Sequence, residues 1–169
     1  GRGAGGGAGR GGVSCGGAWR PPAGARRAPV AGVCRRLRRG GCPRGGLVVG
    51  APEGELQAIP TAIVAVLLRA RGFDVADLGA NVPSSAFVDC VRTWWPVDAG
   101  GIAVTGPGHR TAVRRLVRIL RTAEPSLRVI VGGAGLTEAE ALECAADVWA
   151  PDGRALARIV ADWEVDQTQ

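Results

Sequence analysis

The sequence predicts a doubly wound α/β domain that begins near residue 47, after an N-terminal segment of different composition. Five short apolar runs alternate with five segments of helical pattern. The runs are apolar almost throughout, which is typical of parallel strands buried on both faces, and parallel strands need helical crossovers between them. A chain of 169 residues whose first 46 are unlike the rest leaves room for one ordinary domain with a core.

Residues 1–46 differ from the rest of the chain in charge and glycine content. They hold 16 of the 28 glycines and 10 of the 21 basic residues, and neither Asp nor Glu. Such a segment cannot bury enough apolar surface to offset chain entropy, so we predict a disordered Gly/Arg-rich tail. Residues 47–169 carry 11 Arg against 15 acids, a net charge of about −4, which excludes a uniformly basic nucleic-acid-binding domain. We expect the tail to bind nucleic acid weakly if at all.

The strands and the first helix follow from hydrophobic periodicity. Strands are predicted at 47–49, 73–78, 101–104, 128–131 and 147–150. In the first helix Pro60 lies in the first turn, which tolerates proline. Its apolar residues recur at helical spacing and are expected on one face: Ile63, Val64, Leu67 and Leu68.

The later helices show clearer signals. The third has a regular apolar stripe, and four arginines are expected on its solvent side: Arg110, Arg114, Arg118 and Arg121. Ser84 is the predicted N-cap of the second helix, and Asp152 that of the fifth. The fourth helix begins with a capping box from Thr137 to Glu140. Trp94 and Trp95 are expected to close the end of the second helix onto the core.

This alternation indicates a flavodoxin-like sheet with strand order 2-1-3-4-5. Ligands of such folds lie beyond the carboxyl ends of the strands, where the strand order reverses. The loops after strands one, three and four should therefore surround any site. They are residues 52–57, 105–109 and 132–135.

Four doubly wound classes are excluded by the chemistry of these loops. A receiver domain needs a phosphorylatable Asp where Thr105 stands, together with a lysine, and the chain has no lysine. A flavodoxin phosphate loop is incompatible with Glu53 and Glu55, whose charges would repel a phosphate. The glycine motifs of dinucleotide-binding and P-loop proteins are absent from the first loop.

Neither a membrane segment nor a cysteine framework is predicted. No apolar run approaches the roughly 18 residues that span a bilayer, and the N-terminus lacks the apolar core of a signal peptide. We therefore expect a cytoplasmic protein. The five cysteines show no C-x-x-C spacing, so neither a zinc site nor a disulfide set is expected.

Two segments resemble the cobalamin (vitamin B12)-binding domain family. They are APEGELQAIP at 51–60 and LLRARGFDVADLGANVP at 67–83. The resemblance covers residues 47–163 and is closest to the sensor modules of MerR-type, light-responsive regulators. It implies a cobalamin cofactor, in adenosyl or methyl form, bound at the three loops.

The family motifs identify the residues that would hold the cofactor. Members carry Asp-x-His-x-x-Gly after strand one, and here Gly54 precedes Glu55 at the Asp position, Gln57 stands at the His position and Pro60 at the Gly position. After strand three, Thr105 and Pro107 stand for Ser-x-Leu. After strand four, Gly132 and Gly133 match the family's Gly-Gly and would line a slot for the cofactor's nucleotide tail.

The replacement of the family's axial histidine by Gln57 leaves several arrangements open. An amide is a poor cobalt ligand compared with imidazole. Cobalamin could keep its own base or water on the metal, or bind with Gln57 hydrogen-bonded nearby. His109, the only histidine of the chain, is either a solvent-facing loop residue or a substitute axial ligand.

The resemblance implies a sensor or regulatory module, a fragment of a B12-dependent transcriptional regulator, rather than an enzyme. Its partners would be cobalamin and an effector or DNA-binding domain outside this chain. The alternative is a scaffold that kept the fold, lost the cofactor and acts as a protein-interaction module.

Overall fold

The computed structural model describes residues 44–94 and 97–166. Strands and helices alternate throughout this part of the chain. The strands are β1 (Gly46–Gly50), β2 (Asp74–Asp77), β3 (Ala99–Ala103), β4 (Arg128–Gly132) and β5 (Val148–Ala150). The helices are α1 (Ile59–Ala70), α2 (Ser84–Thr93), α3 (Arg110–Ala123), α4 (Glu138–Glu143) and α5 (Gly153–Asp166).

The strands form one parallel sheet in the order β2-β1-β3-β4-β5. The predicted fold class and strand order are thus confirmed. The order reverses between β1 and β3, so the loops that leave these two strands diverge to opposite faces of the sheet. The carboxyl edge beside them is where a ligand crevice is expected.

Each strand contributes to two separate cores because neighbouring side chains point to opposite faces. Leu47 and Val49 pack in the cluster under α1 and α5. Val48 packs in the larger cluster under α2, α3 and α4. All five residues of β1 are buried, which explains why the strands read as apolar runs without alternation.

The buried face of α1 is narrower than predicted. Val64 and Leu68 are buried and Leu67 is half-buried, but Ile63 is 53% exposed. The expectation that Ile63 shares the buried face is therefore wrong. Each residue turns by about 100° around a helix, so centring the contact on Val64 and Leu68 leaves Ile63 at its border.

The arginine side of α3 is also not uniformly solvated. Arg110, Arg114 and Arg118 are exposed as predicted. Arg121 is half-buried, donates to the Leu127 carbonyl at 2.7 Å and pairs with Asp147. Because Asp147 also accepts the Val129 amide hydrogen, Arg121 ties the end of α3 to β4 and to the segment before β5.

Two of the three predicted helix caps are confirmed. Thr137 and Glu140 form the capping box of α4. Asp152 accepts the amide hydrogens of Arg154 and Ala155 at 2.8 Å each. Ser84 is not an N-cap, because Pro83 has the extended backbone of that position and Ser84 is already helical.

Element boundaries shift by one or two residues. β1 begins at Gly46 and β3 at Ala99, earlier than the apolar pattern indicated, and Phe73 lies before β2. Trp94 packs against the larger core as expected. Trp95 and the predicted tail up to residue 43 lie outside the described residues. No helix in the described ranges is long and apolar enough to cross a bilayer.

Leu120→Ala should lower the free energy of unfolding by about 2–5 kcal/mol, because Leu120 is fully buried and truncation leaves a cavity. The matched control is Leu142→Ala in α4, at a site 50% exposed, which should cost under about 1 kcal/mol. Urea unfolding followed by circular dichroism measures both. Equal losses would contradict the core assignment.

Candidate cofactor-binding site

Three loops meet at the carboxyl edge of the sheet, as the topology predicts. They are the β1–α1 loop (51–58), the β3–α3 loop (104–109) and the β4–α4 loop (133–137). The last two are joined by backbone hydrogen bonds, from the Gly135 amide to the Val104 carbonyl at 3.0 Å and from the Val104 amide to the Gly132 carbonyl at 2.8 Å. The edge is therefore a connected backbone surface.

Glu55 joins the first loop to the second. Its side chain is 3% exposed, although it is a carboxylate. Oε2 accepts the amide hydrogens of Thr105 and Gly106 at 2.8 Å each, and Oε1 accepts that of Gln57 at 3.1 Å. A buried carboxylate is stable only when its oxygens are hydrogen-bonded, and these three donors meet that need.

The charged form of Glu55 is favoured on balance. Burial acts to raise the pKa of this carboxyl, but the amide donors of Gly106, Thr105 and Gln57, with the nearby His109, outweigh it and hold the pKa below its ordinary value. Glu55 is thus a fixed negative charge under the site at neutral pH.

A fourth loop, which the sequence analysis did not assign to the site, supports the first. Asn81, after β2, adopts a left-handed backbone with φ of 53°. Its Oδ1 accepts the Gly54 amide hydrogen at 2.9 Å, and its own amide donates to the Glu55 carbonyl at 2.7 Å. Asn is the non-glycine residue that tolerates this conformation best, and that preference was the available signal.

His109 lies against the same cluster rather than free in solvent. Its side chain is 21% exposed, and Nε2 is 3.8 Å from Oε2 of Glu55. The ring covers two glycines: a methyl group on Gly54 would lie 3.6 Å from Nδ1, and one on Gly106 would lie 3.4 Å from Nε2. His109 is therefore half-buried beside Glu55 and keeps part of its surface in contact with solvent.

A cavity of about 540 Å³ opens beside this cluster, between the sheet and the pair α1 and α5. Its walls are mostly apolar and include Val49, Val64, Leu67 and Leu156. The polar groups near its mouth belong to Thr105, Asp152 and Arg154. A long apolar slot with few polar groups at one end suits a ligand with an aromatic, flat part.

Four glycines line this cavity at positions where a Cβ would crowd neighbouring protein atoms. A side chain on Gly132 would place its Cβ 2.5 Å from the Ala150 carbonyl oxygen, and one on Gly133, with φ of 108°, would place it 2.2 Å from the Val104 carbonyl oxygen. Gly101 and Gly153 also line the slot, where a Cβ would approach Val49 and Val64 within 3.1 and 3.0 Å. Gly132 and Gly133 are recognisable in the sequence as a Gly-Gly motif. Gly101 and Gly153 are not, because a lone glycine within an element gives no comparable motif.

The seven residues predicted to hold the cofactor separate into three groups. Thr105, Gly132 and Gly133 line the cavity. Gly54 and Glu55 lie beside it, around His109. Gln57 and Pro107 are exposed at the rim and do not line the cavity.

Exposed apolar side chains surround the loop that carries Gln57. Leu56 is 75% and Ile59 74% exposed. Pro60 lies in the first turn of α1, as predicted, and lines the cavity mouth. Leu56 and Ile59 thus leave exposed apolar surface next to the cavity mouth.

Other metal chemistry finds no support in the described part of the chain. Those residues contain no group of three or more His, Cys, Asp or Glu side chains able to hold an ion. Cys90 and Cys144 are both buried in the larger core.

Comparison with known proteins agrees with this geometry. Residues 45–161 match the B12 binding domain family. The chain therefore belongs to that family.

Among curated proteins, Dimethylamine corrinoid protein 1 of Methanosarcina acetivorans is 31% identical over 112 residues, covering 63% of this chain and 50% of that protein. The chain thus spans about half the length of the curated relatives it matches. A solved cobalamin-binding protein from Desulfitobacterium hafniense DCB-2 is 27% identical with a TM-score of 0.65, over 71% of this chain and 59% of that one. The methanol:cobalamin methyltransferase complex MtaBC of Methanosarcina barkeri superposes with a TM-score of 0.68 at 22% identity, over 73% and 47% of the chains, and shows the fold alone.

These relatives correct one expectation. The sequence suggested the sensor modules of MerR-type regulators as the closest resemblance, whereas the curated relatives are methylamine corrinoid proteins. Short motifs around the loops identify the family but do not separate its branches.

Glu55 should make stability fall on acidification. Its folded pKa is lowered, so its contribution is complete above the unfolded value of about 4.5 and is lost as the pH falls through the folded value. Urea unfolding between about pH 6 and 3 should show a steeper loss for the natural chain than for Glu55→Gln. Part of the slope should persist, because the pKa values of Glu140 and Asp152 are also lowered.

The control for that series is Glu53→Gln. It removes an exposed carboxylate from the same loop without disturbing the three amide donors. A Glu55→Gln slope equal to that of Glu53→Gln would show that the buried carboxylate does not couple to folding.

Proposed function

We propose that this domain binds cobalamin as a corrinoid carrier, presenting it to a separate methyltransferase. The observation that carries the proposal is the mostly apolar slot of about 540 Å³ at the carboxyl edge of the sheet, which Thr105, Gly132 and Gly133 help to line.

The residues of the slot fit the extended part of cobalamin. Val49, Val64 and Leu156 would contact a flat aromatic base, whose burial is favourable in proportion to the apolar area covered. The Thr105 hydroxyl would bond to a polar atom of the tail, and Arg154 at the mouth would face its phosphate. Bound cobalamin would supply a cobalt atom able to accept and donate a methyl group.

The upper rim would carry the corrin ring. Leu56 and Ile59 are exposed apolar residues next to Gln57, and a ring resting there would cover them. The opposite face of the ring would stay open to a partner, which is what a carrier requires.

The carrier role is supported by the methylamine corrinoid relatives, and methylcobalamin is the form it implies. A sensor role would use the same binding step and differ only in what the bound cofactor controls. In either role the chain works with a partner, and we propose that catalysis belongs to that partner.

A scaffold without cofactor is the second candidate, and one observation favours it. The β1–α1 loop carries Gln57 and Pro60 at the positions that hold His and Gly in the family's motif. Neither offers a good cobalt ligand. Under this alternative the exposed apolar rim would bind a protein instead.

The full chain titrated with hydroxocobalamin should show saturable binding in its visible spectrum. Ala103→Phe should weaken that binding about tenfold or more, equivalent to about 1.4 kcal/mol. Ala103 lines the slot and lies two residues after Gly101 on the same face of β3, so a phenyl ring there would occupy the ligand's space.

The control is Ala70→Phe at the exposed carboxyl end of α1, which should bind as the natural chain does. Circular dichroism shows whether both variants keep their fold. No binding by the natural chain at about 1 mM cofactor, weaker than about −4 kcal/mol, would favour the scaffold.

The form of the cofactor separates carrier from sensor. A carrier should bind methylcobalamin and hydroxocobalamin within about tenfold of adenosylcobalamin, because its slot contacts the tail common to all three. Equilibrium dialysis in the dark measures the three dissociation constants. A strong preference for adenosylcobalamin, with a change of oligomeric state on illumination, would instead support the sensor.

A further inference from the structure

The solvent side of α1 differs from that of α2, α3 and α5. The exposed residues of α1 are all apolar, and they are Ile59, Ala62, Ile63, Val66 and Ala70. In α2 and α3 every exposed residue is polar or charged, and in α5, as far as Trp163, the exposed residues are Arg154, Arg158 and Asp162. A surface helix normally turns polar side chains to water. α1 is therefore apolar on its solvent side as well as on its buried side.

The exposed residues of α1 form one stripe along the helix, which we call the α1 stripe. Each residue turns by about 100° around the axis, so positions 59, 62, 63, 66 and 70 fall within about 100° of the circumference. No charge interrupts the stripe, because the helix has no charged residue before Arg69. Val66, near its centre, is 63% exposed. A stripe of this width matches the face that a helix packs against another element.

The proposed cofactor accounts for only one end of the α1 stripe. A corrin ring at the rim would cover Ile59, but Val66 and Ala70 lie about 10 and 16 Å further along the helix at its rise of about 1.5 Å per residue. A membrane is a poor occupant as well. Residues 47–169 carry a net charge of about −4, which anionic lipid headgroups repel. The rest of the stripe is best matched by an uncharged protein surface.

A second copy of the chain supplies such a surface. A two-fold axis brings the same patch of both copies together, so each contact occurs twice. If the axis passes between Ile63 and Val66 and the two α1 helices run antiparallel, Ile63 of one copy meets Val66 of the other. Ile59 then meets Ala70. Each larger side chain faces a smaller one, which suits interdigitated helix packing.

The charges at the ends of α1 favour the antiparallel arrangement. Arg71, just after the helix, is exposed, and Glu53 is the exposed charge of the β1–α1 loop before it. Antiparallel helices bring the Arg71 end of one copy to the Glu53 end of the other. Parallel helices would bring the two Arg71 side chains together, and like charges repel. The charges therefore select the antiparallel pair.

We infer that the α1 stripe is the interface of a homodimer, in which two copies pack α1 against α1 in antiparallel orientation. The carboxyl edges of the two sheets then point in opposite directions, and each copy presents its own site. The dimer forms without cofactor. Its failure and the failure of cobalamin binding are therefore distinguishable.

Sedimentation equilibrium of the full chain without cofactor measures the association. Between about 1 and 100 μM the natural chain should approach twice the mass of one chain. Val66→Arg places a charge near the centre of the stripe, at a site that is exposed in the single copy. The fold should survive, as circular dichroism shows, while the dissociation constant rises roughly thirtyfold or more.

Leu142→Arg is the matched control. Leu142 is also apolar and 50% exposed, but it belongs to α4, which packs on the opposite face of the sheet. The dissociation constant of this variant should stay within about threefold of the natural value. A natural chain that remains monomeric at about 100 μM would overturn the interface and leave the stripe to the residues before Arg44 or to another protein. A dimer that Val66→Arg leaves intact would overturn it too.

Cross-linking tests the antiparallel geometry, because the sequence contains no lysine. Ala58→Lys combined with Ala70→Lys places amines at exposed positions at the two ends of α1. Within one chain these positions are about 18 Å apart along the helix, too far for a short amine-reactive cross-linker. We expect a covalent dimer joined between position 58 of one copy and position 70 of the other, identified by mass spectrometry. Links only between the two copies of position 70 would refute the antiparallel pair.

Discussion

The carboxylate of Glu55 is the interaction on which the site depends. Loops after β1 and β3 leave opposite faces of the sheet, and nothing in the strand ladder fixes them to each other. Glu55 does so with hydrogen bonds to Gln57, Thr105 and Gly106. Its burial would be unfavourable without them, so the charge and the loop geometry stabilise each other. The His109 ring lies beside this carboxylate, with Nε2 3.8 Å from Oε2 of Glu55.

A second constraint comes from the backbone rather than from any side chain. Gly132 and Gly133 allow β4 to end against Ala150 and Val104 at distances no Cβ would permit. The end of β4 therefore packs directly against the backbone of its neighbours, and both glycines line the slot beside α1 and α5. The same close packing that gives the domain its two cores leaves one slot at the carboxyl edge, where the strand order reverses.

Much of the fold follows from local signals. The strands are buried on both faces, so their apolar runs identify them; the capping box at Thr137 and the cap at Asp152 are contained in a few adjacent residues. The prediction of Ser84 as an N-cap was wrong because the cap position requires an extended backbone, which Pro83 has and Ser84 does not. The predicted burial of Ile63 was wrong because periodicity gives the apolar face of a helix but not where the elements packed against that face end. Short motifs likewise identified the family but not its branch.

The sequence by itself determined the strand order, the three loops that form the edge and the residues Thr105, Gly132 and Gly133 that line the slot, because these follow from periodicity and short motifs. Only the tertiary structure decided where His109 and Asn81 lie relative to the site. Their partners lie 54 and 27 positions away in the chain, and no local pattern records a contact between residues so far apart. Such contacts exist only once the sheet has brought the ends of its strands together.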